Sequence, residues 1–399
     1  MMGTNAIDKY SFDEEIDRRE VPTLKVHPIV VGEDGEHLFA AGVADMDFKA
    51  PPPVIEAMQH RLEHGLFGYE MIPDGLIPAL VKWLDEHHNW SIDKSEVLVA
   101  PNILTALAIA ASLFTDEGDG IIVQPPVFFD FFDVIRENHR AVIENPLIFE
   151  NGRYRMDFDD LERKASSPNV KMIYLCNPHN PIGKVWEVAA LQQLGDICER
   201  HGVLVVADEM HGDLVFSGHR YTPFASLGKK YSDNCLSLIS PAKTFNIASC
   251  CSAFTVITDE VKRKAVQVEN SRLSVNKNNP YANVAMAAAF TKGAPWLKAA
   301  ISYLEDNVAL VRERLGRIPG AELVEPEGTF LIWVDFNGLG LESDELYAFL
   351  RNEAHWSVTR GKSFGKEGMG FARVNIGCTR EKIRTALDNL ESAIDELTP

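Results

Sequence analysis

Three polar residues, each placed just past an apolar run, have the chemistry to serve one cofactor in one crevice. Lys243 follows the run from Cys235 to Ile239, in Ser240-Pro-Ala-Lys243-Thr-Phe-Asn246. Asp208 ends Gly-Val-Leu-Val-Val-Ala-Asp208 and leads into Glu-Met-His211. Asn180 stands in Leu175-Cys-Asn177-Pro-His-Asn180-Pro-Ile-Gly183. Such runs read as buried strands, and the carboxyl ends of strands in an open α/β sheet line its ligand crevice. An amine for a Schiff base, a carboxylate for a pyridine nitrogen and an amide for a ring hydroxyl suit pyridoxal phosphate. Each residue alone also has a plainer reading. Lys243 could snorkel at the surface, Asp208 could cap a helix, and Asn180-Pro is ordinary turn chemistry. Together the three favour the cofactor.

The elements that must position them alternate along the chain. From about residue 52 to 290, strand-like runs at 120–124, 170–176 and 203–207 interleave with helix-period segments at 103–114, 128–138 and 188–201. This alternation means a mostly parallel sheet covered on both faces, an α/β architecture. After about residue 295 the pattern changes to long helices at 296–315, 343–354 and 380–397. They surround strand-like stretches near 330–334 and 371–376, a smaller α+β unit. The first fifty residues have no sheet period of their own and are expected to join it. The expected division is therefore 1–50, 51–290 and 291–399.

Composition bounds the partners. A chain of 399 residues exceeds one ordinary core, and 46% hydrophobic with 24% charged residues is usual for a globular protein. A formal charge of −19 argues against nucleic acid or an anionic membrane as the main partner. The opening Met-Met-Gly-Thr-Asn-Ala-Ile-Asp-Lys-Tyr lacks a signal-peptide core, and no run reaches membrane-spanning length. The six cysteines have no metal-ligand spacing, and most lie in apolar runs as reduced thiols do. The expectation is a cytoplasmic protein without a metal.

At this point the chain resembles the class I/II aminotransferase superfamily of fold-type I pyridoxal-phosphate enzymes. The ordered set that carries the resemblance is Asn180-Pro-Ile-Gly183, Asp208 with His211, Ser240-Pro-Ala-Lys243 and Arg373-Val-Asn375. Further stretches are similar to the MalY/PatB-type cystathionine β-lyases, or C–S lyases: Phe12-Asp-Glu-Glu-Ile-Asp-Arg18-Arg19, Val43-Ala44-Asp45-Met46-Asp47-Phe48, Phe67-Gly68-Tyr69 and Lys243-Thr-Phe-Asn-Ile. The match runs from about residue 11 to the C-terminus. It implies a large domain with a mostly parallel seven-stranded sheet, a smaller α+β domain, and a homodimer with shared active sites.

The resemblance also implies roles. Lys243 would hold the cofactor and remove the substrate's Cα proton, which requires a depressed pKa. Asp208 would keep the pyridine nitrogen protonated, and Asn180 would bond the phenolic oxygen, with His211 near that oxygen or satisfied by backbone. Phe128 (or Phe129) would stack on the ring where the subgroup has a tyrosine. Ser240 and the N–H groups of Asn102 and Ile103, which open a helix, would bind the phosphate. Tyr69 would cross to the phosphate of a neighbouring subunit and act in catalysis, or pack on Phe67 in its own loop. Arg373 would pair with the substrate carboxylate, unless it lies on a solvated face, and Ala44 would line the substrate site. Tyr69, Phe128 and the 274–281 loop are expected to wall the pocket.

The chain departs from the subgroup in places. Asn102 replaces a glycine, and Val21-Pro-Thr-Leu-Lys25-Val26-His27 lacks the usual Asn-Ser and Lys-Trp-Asp. Cys250 and Cys251 occupy the region where many aminotransferases carry a phosphate-binding arginine. The expected reaction is β-elimination from cystathionine or a cysteine S-conjugate, giving thiol, pyruvate and ammonia. Transamination, or another elimination or C–C bond formation in a secondary pathway, uses the same residues. A non-catalytic aminotransferase-like regulatory protein is the reading from a different class.

Overall fold

Strands of four to seven residues, rich in Val, Ile and Leu, build the larger sheet; its central ones are buried on both faces because helices cover them. The computed structural model describes residues 10–276 and 279–397. Residues 1–9, 398 and 399 lie outside the described residues, as do Lys277 and Asn278 of the 274–281 loop.

Seven strands lie in the order Val97–Ala100, Ala253–Val256, Cys235–Ile239, Leu204–Asp208, Val170–Cys176, Gly120–Val123, Ala141–Glu144. Every pairing is parallel except the two made by Ala253–Val256. Cys176 is opposite Asp208, and Asp208 is opposite Leu238. The carboxyl ends of three neighbouring strands are therefore level, and the residues just past each strand enter one crevice.

Helix boundaries obey local signals. Ile103–Phe114 begins where Asn102 Oδ1 accepts the Thr105 N–H at 2.8 Å. Val188–His201 buries Leu191, Leu194 and Ile197 and stops at Gly202, whose φ of 66° suits glycine. The helix expected over 128–138 runs only Asp130–Glu137, with Asp130 and Asp133 in its first turn. Phe128 and Phe129 instead form the turn before it. The strands Ala141–Glu144 and Ala253–Val256 go beyond the expected elements.

A second, antiparallel sheet orders Glu322–Val324, Leu331–Asp335, Phe371–Asn375 and Thr359–Arg360. Arg373 is paired with Trp333 on one side and Thr359 on the other. Helices Ala294–Leu315, Ser343–Asn352 and Arg380–Leu397 accompany this sheet. The last buries Ile383, Ala386, Leu387, Leu390 and Ile394, a single helical stripe.

The chain before residue 50 is tied to these elements. Phe39–Ala40 pairs with Trp356–Ser357. Lys25, only 2% exposed, donates to Asp47 at 2.7 Å and to the Asp45 carbonyl at 3.0 Å. Arg18 grips both Asp45 oxygens and reaches Asp47 at 2.8 Å. Partners this close are what permits a lysine to be buried. All six cysteines are free; five are buried and Cys251 is exposed. Among the described residues no helix is long and apolar enough to cross a membrane.

Candidate active site

One helical turn, Pro241–Thr244, presents Lys243 directly after the strand Cys235–Ile239. Its amine donates to the Ala44 carbonyl. Burial pulls the Lys243 pKa down to about 8, Arg373 pulls the same way, and Asp45, Asp208 and Asp130 partly offset them. Asp208 ends the adjacent strand, accepts the Met210 N–H at 3.1 Å, and is pushed up to about 6 by burial. A cation placed against that carboxylate would return it to the ionised form.

Arg373 reaches the same crevice from the second sheet. Its Nη1 donates to Asn180 Oδ1 at 3.1 Å, and its Nη2 donates to the Gly42 carbonyl at 2.8 Å and to Thr359 Oγ1 at 3.2 Å. The guanidinium is 3% exposed and sits 5.0 Å from the centre of the Phe364 ring. Its hydrogen-bond partners are all neutral, its Nε has none, and burial draws its pKa down to about 10. A buried cation without a carboxylate is costly, so the site is built to receive an anion.

His211 is also buried beside these cations. Desolvation first, then the charges of Lys243 and Arg373, hold its pKa down at about 3, so the ring is neutral. Its Nδ1 has no partner, and the ring meets Phe330 at 6.0 Å. Phe128 is half-buried, with its ring 5.1 Å from Phe129 and 5.9 Å from Phe131. Phe129 in turn meets Phe364, the ring over which Arg373 lies, at 5.6 Å.

The expected phosphate ligands are placed differently from one another. Asn102 and Ile103 open their helix beside the sheet's carboxyl edge, although the Asn102 side chain is engaged as its cap. The Ser240 hydroxyl donates to the Ser252 carbonyl at 2.6 Å and accepts the Ala242 N–H at 3.1 Å, so it holds the Lys243 turn. Tyr69, at 107% relative exposure, is fully outside, together with Phe67 and Met71. Within one chain it joins none of the groups above.

Some site residues had drawn no role from the sequence. Asn246, at φ 54°, caps the loop that carries Ala44: its side chain accepts the Met46 N–H and donates to the Met46 and Phe48 carbonyls. Asn375 donates to the Val43 and Asp45 carbonyls. Both stand inside the motifs around Lys243 and Arg373, three residues after the first and two after the second, and that proximity was the available signal. Asp130 is a further site acid; burial and Asp133 raise its pKa while Arg373 opposes.

These residues fit pyridoxal phosphate. Lys243, Asp208 and the free Nδ2 of Asn180 supply the three groups the ring requires, and the orphaned Nδ1 of His211 and Nε of Arg373 wait for polar partners.

Comparison with known proteins agrees. The model of the family "Aminotransferase class I and II" matches residues 38–390. The chain is 39% identical over 334 residues to cystathionine beta-lyase PatB of Bacillus subtilis, covering 84% of this chain and 86% of that one. It superposes on cystalysin from Treponema denticola with a TM-score of 0.94 at 29% identity, over 98% of this chain and 100% of that chain. It superposes on the PLP-bound C-S lyase from Staphylococcus hominis, in the form complexed with L-cycloserine, with a TM-score of 0.90 at 31% identity, over 97% and 99% of the two chains. With a crevice built from three strand ends and one arginine, and a family match over most of its length, the chain belongs to the class I and II aminotransferase family.

Proposed function

We propose that this chain is a pyridoxal-phosphate-dependent carbon–sulfur β-lyase acting on an L-amino acid with a sulfur leaving group, cystathionine or a cysteine S-conjugate. The observation that carries a reaction at an amino acid is Lys243, a desolvated amine with a pKa near 8, beside a buried arginine that lacks an anion. The choice of C–S cleavage is supported by the likeness to PatB, cystalysin and the Staphylococcus C-S lyase.

The residues divide the work. Arg373 offers its unpartnered Nε to the α-carboxylate, with the charge of a planar guanidinium behind it. Asn180 Nδ2 would donate to the cofactor's phenolic oxygen, Asp208 would pair with its pyridine nitrogen, and Phe128 would cover its ring. Bound pyridoxal phosphate supplies an electron sink for the charge that develops at Cα. A depressed pKa leaves a useful fraction of Lys243 neutral near pH 7 to 8, and its Nζ takes the Cα proton. The Cβ–S electron pair leaves with sulfur, and the proton on Nζ can neutralise the thiolate. The unsaturated amine that remains adds water and gives pyruvate and ammonia.

The same reading includes a cytoplasmic homodimer in which Tyr69 reaches the neighbouring site. Full exposure of Tyr69 beside Phe67 and Met71 supports the dimer, and free cysteines throughout support a reducing compartment. It also divides the chain at about residues 50 and 290, supported by the separate sheets on either side. Transamination is the second reading, favoured by the family match itself.

The purified protein given cystathionine and no keto-acid acceptor should release pyruvate and free thiol. Borohydride should fix a chromophore on Lys243. Accumulation of pyridoxamine phosphate without pyruvate would move the assignment to transamination, and a colourless protein that ignores added cofactor would end it.

A further inference from the structure

The turn that carries Lys243 is four residues long, far below the length at which a helix holds itself. Both of its ends are pinned from outside. At the first, the Ser240 hydroxyl bonds the Ala242 N–H and the Ser252 carbonyl. At the other, Thr244 Oγ1 donates to Asp213 Oδ2 at 2.9 Å. Asp213 lies on the loop that follows Asp208 and carries His211, and its other oxygen accepts from Trp83 Nε1 at 2.8 Å and contacts His88 Nε2 at 2.6 Å. Burial alone would raise the Asp213 pKa, but His88, Trp83 and Thr244 overcome it and leave it below the usual range. Trp83 also packs edge-on against Phe245, the residue after Thr244, at 5.5 Å. Asp213, His88 and Trp83 border a surface cavity of about 600 Å³ whose walls include neither Lys243 nor Asp208 nor Arg373. The support therefore lies outside the crevice in which the chemistry occurs.

We propose that Asp213, oriented by His88 and Trp83, is the positioning residue for Lys243: through Thr244 it fixes the turn so that the lysine amine stays desolvated against the Ala44 carbonyl. The proposal rests on the role given to Lys243 above. A hydrogen bond to an ionised carboxylate in a buried setting is among the stronger ones, so one hydroxyl has the leverage to hold a single turn.

The test is the titration of Lys243 in the full-length, cofactor-free chain, read as the pH dependence of its acylation by mass spectrometry. The groups that set this titration are Arg373, Asp45, Asp208 and Asp130. The parent should be half-reacted near pH 8. In Thr244→Val, which keeps the shape and loses the hydroxyl, the midpoint should rise on the order of one pH unit as water reaches the amine. Thr244→Ser should restore the parental midpoint, and Asp213→Asn should behave as the valine variant does. A Thr244→Val chain that titrates like the parent, whatever its melting temperature, overturns the proposal and leaves the lyase assignment standing. A parent midpoint near the ordinary lysine value instead removes the premise shared by both.

Discussion

Asn180 Oδ1 accepts a hydrogen bond from Arg373 Nη1 at 3.1 Å, across a separation of 193 residues. This contact gives the two ends of one amide different tasks. Its oxygen is committed to the arginine, so its Nδ2 points its donors elsewhere, and Arg373 is turned to leave Nε open. The group that would touch the cofactor's phenolic oxygen and the group that would hold the substrate carboxylate are thus mechanically one unit.

Replacing Arg373 by lysine should separate substrate binding from cofactor binding. A lysine keeps a charge but loses the planar fork, and KM for the amino acid should rise about 10- to 100-fold. The visible absorption of the loaded protein should be little altered. Steady-state kinetics with cystathionine decides it, and an unchanged KM would show that the carboxylate binds elsewhere.

Asp208→Asn should stabilise the cofactor-free chain while crippling the loaded one. Burial raises the folded pKa to about 6, against about 3.9 in an unfolded chain. The folded form thus binds the proton more tightly; that contribution is full below about pH 4 and is lost as pH rises through about 6. The variant should gain little at pH 4 and about 2–3 kcal/mol at pH 7, measured by urea unfolding. In the loaded enzyme the same change would remove the carboxylate proposed to pair with the pyridine nitrogen, and kcat should fall by about two to three orders of magnitude.

Asp47→Ala should be among the more damaging substitutions remote from the chemistry. It leaves Lys25, at 2% exposure, without the carboxylate 2.7 Å away. Truncating one member of a buried ion pair costs about 3–5 kcal/mol. The double variant Lys25→Met/Asp47→Leu should recover most of that loss, and chemical denaturation of the parent and the two variants measures the recovery.

Mixing tests whether Tyr69 acts across a dimer. Lys243→Ala and Tyr69→Ala chains should each be nearly inactive alone. After unfolding and refolding together they should regain up to about a quarter of parental activity, because each mixed dimer has one intact site. No recovery from a mixture that demonstrably forms mixed dimers would confine Tyr69 to its own subunit.

Local pattern is what made much of the molecule readable. The helix Ile103–Phe114 and the strands Val170–Cys176 and Cys235–Ile239 have the bounds that periodicity and punctuation indicate. The reason is that burial on one or both faces writes a period into the chain, and caps such as Asn102 and Gly202 are local in sequence. The same logic placed Asp208 at a strand end and Lys243 and Asn180 just past two others. It failed for Ala253–Val256, whose antiparallel course depends on its neighbours and not on its four residues.

What the sequence determined by itself, then, was the set of reactive groups and the strand ends that deliver them, because both are encoded within a few residues. Only the tertiary structure decided that Arg373 meets Asn180, that Asn246 and Asn375 hold the Ala44 loop, that Ser240 is spent on the turn and that Tyr69 faces outward. Those outcomes depend on sheet order and register. There a one-residue slip turns a side chain to the opposite face, and no local pattern records which distant backbone will lie beside it.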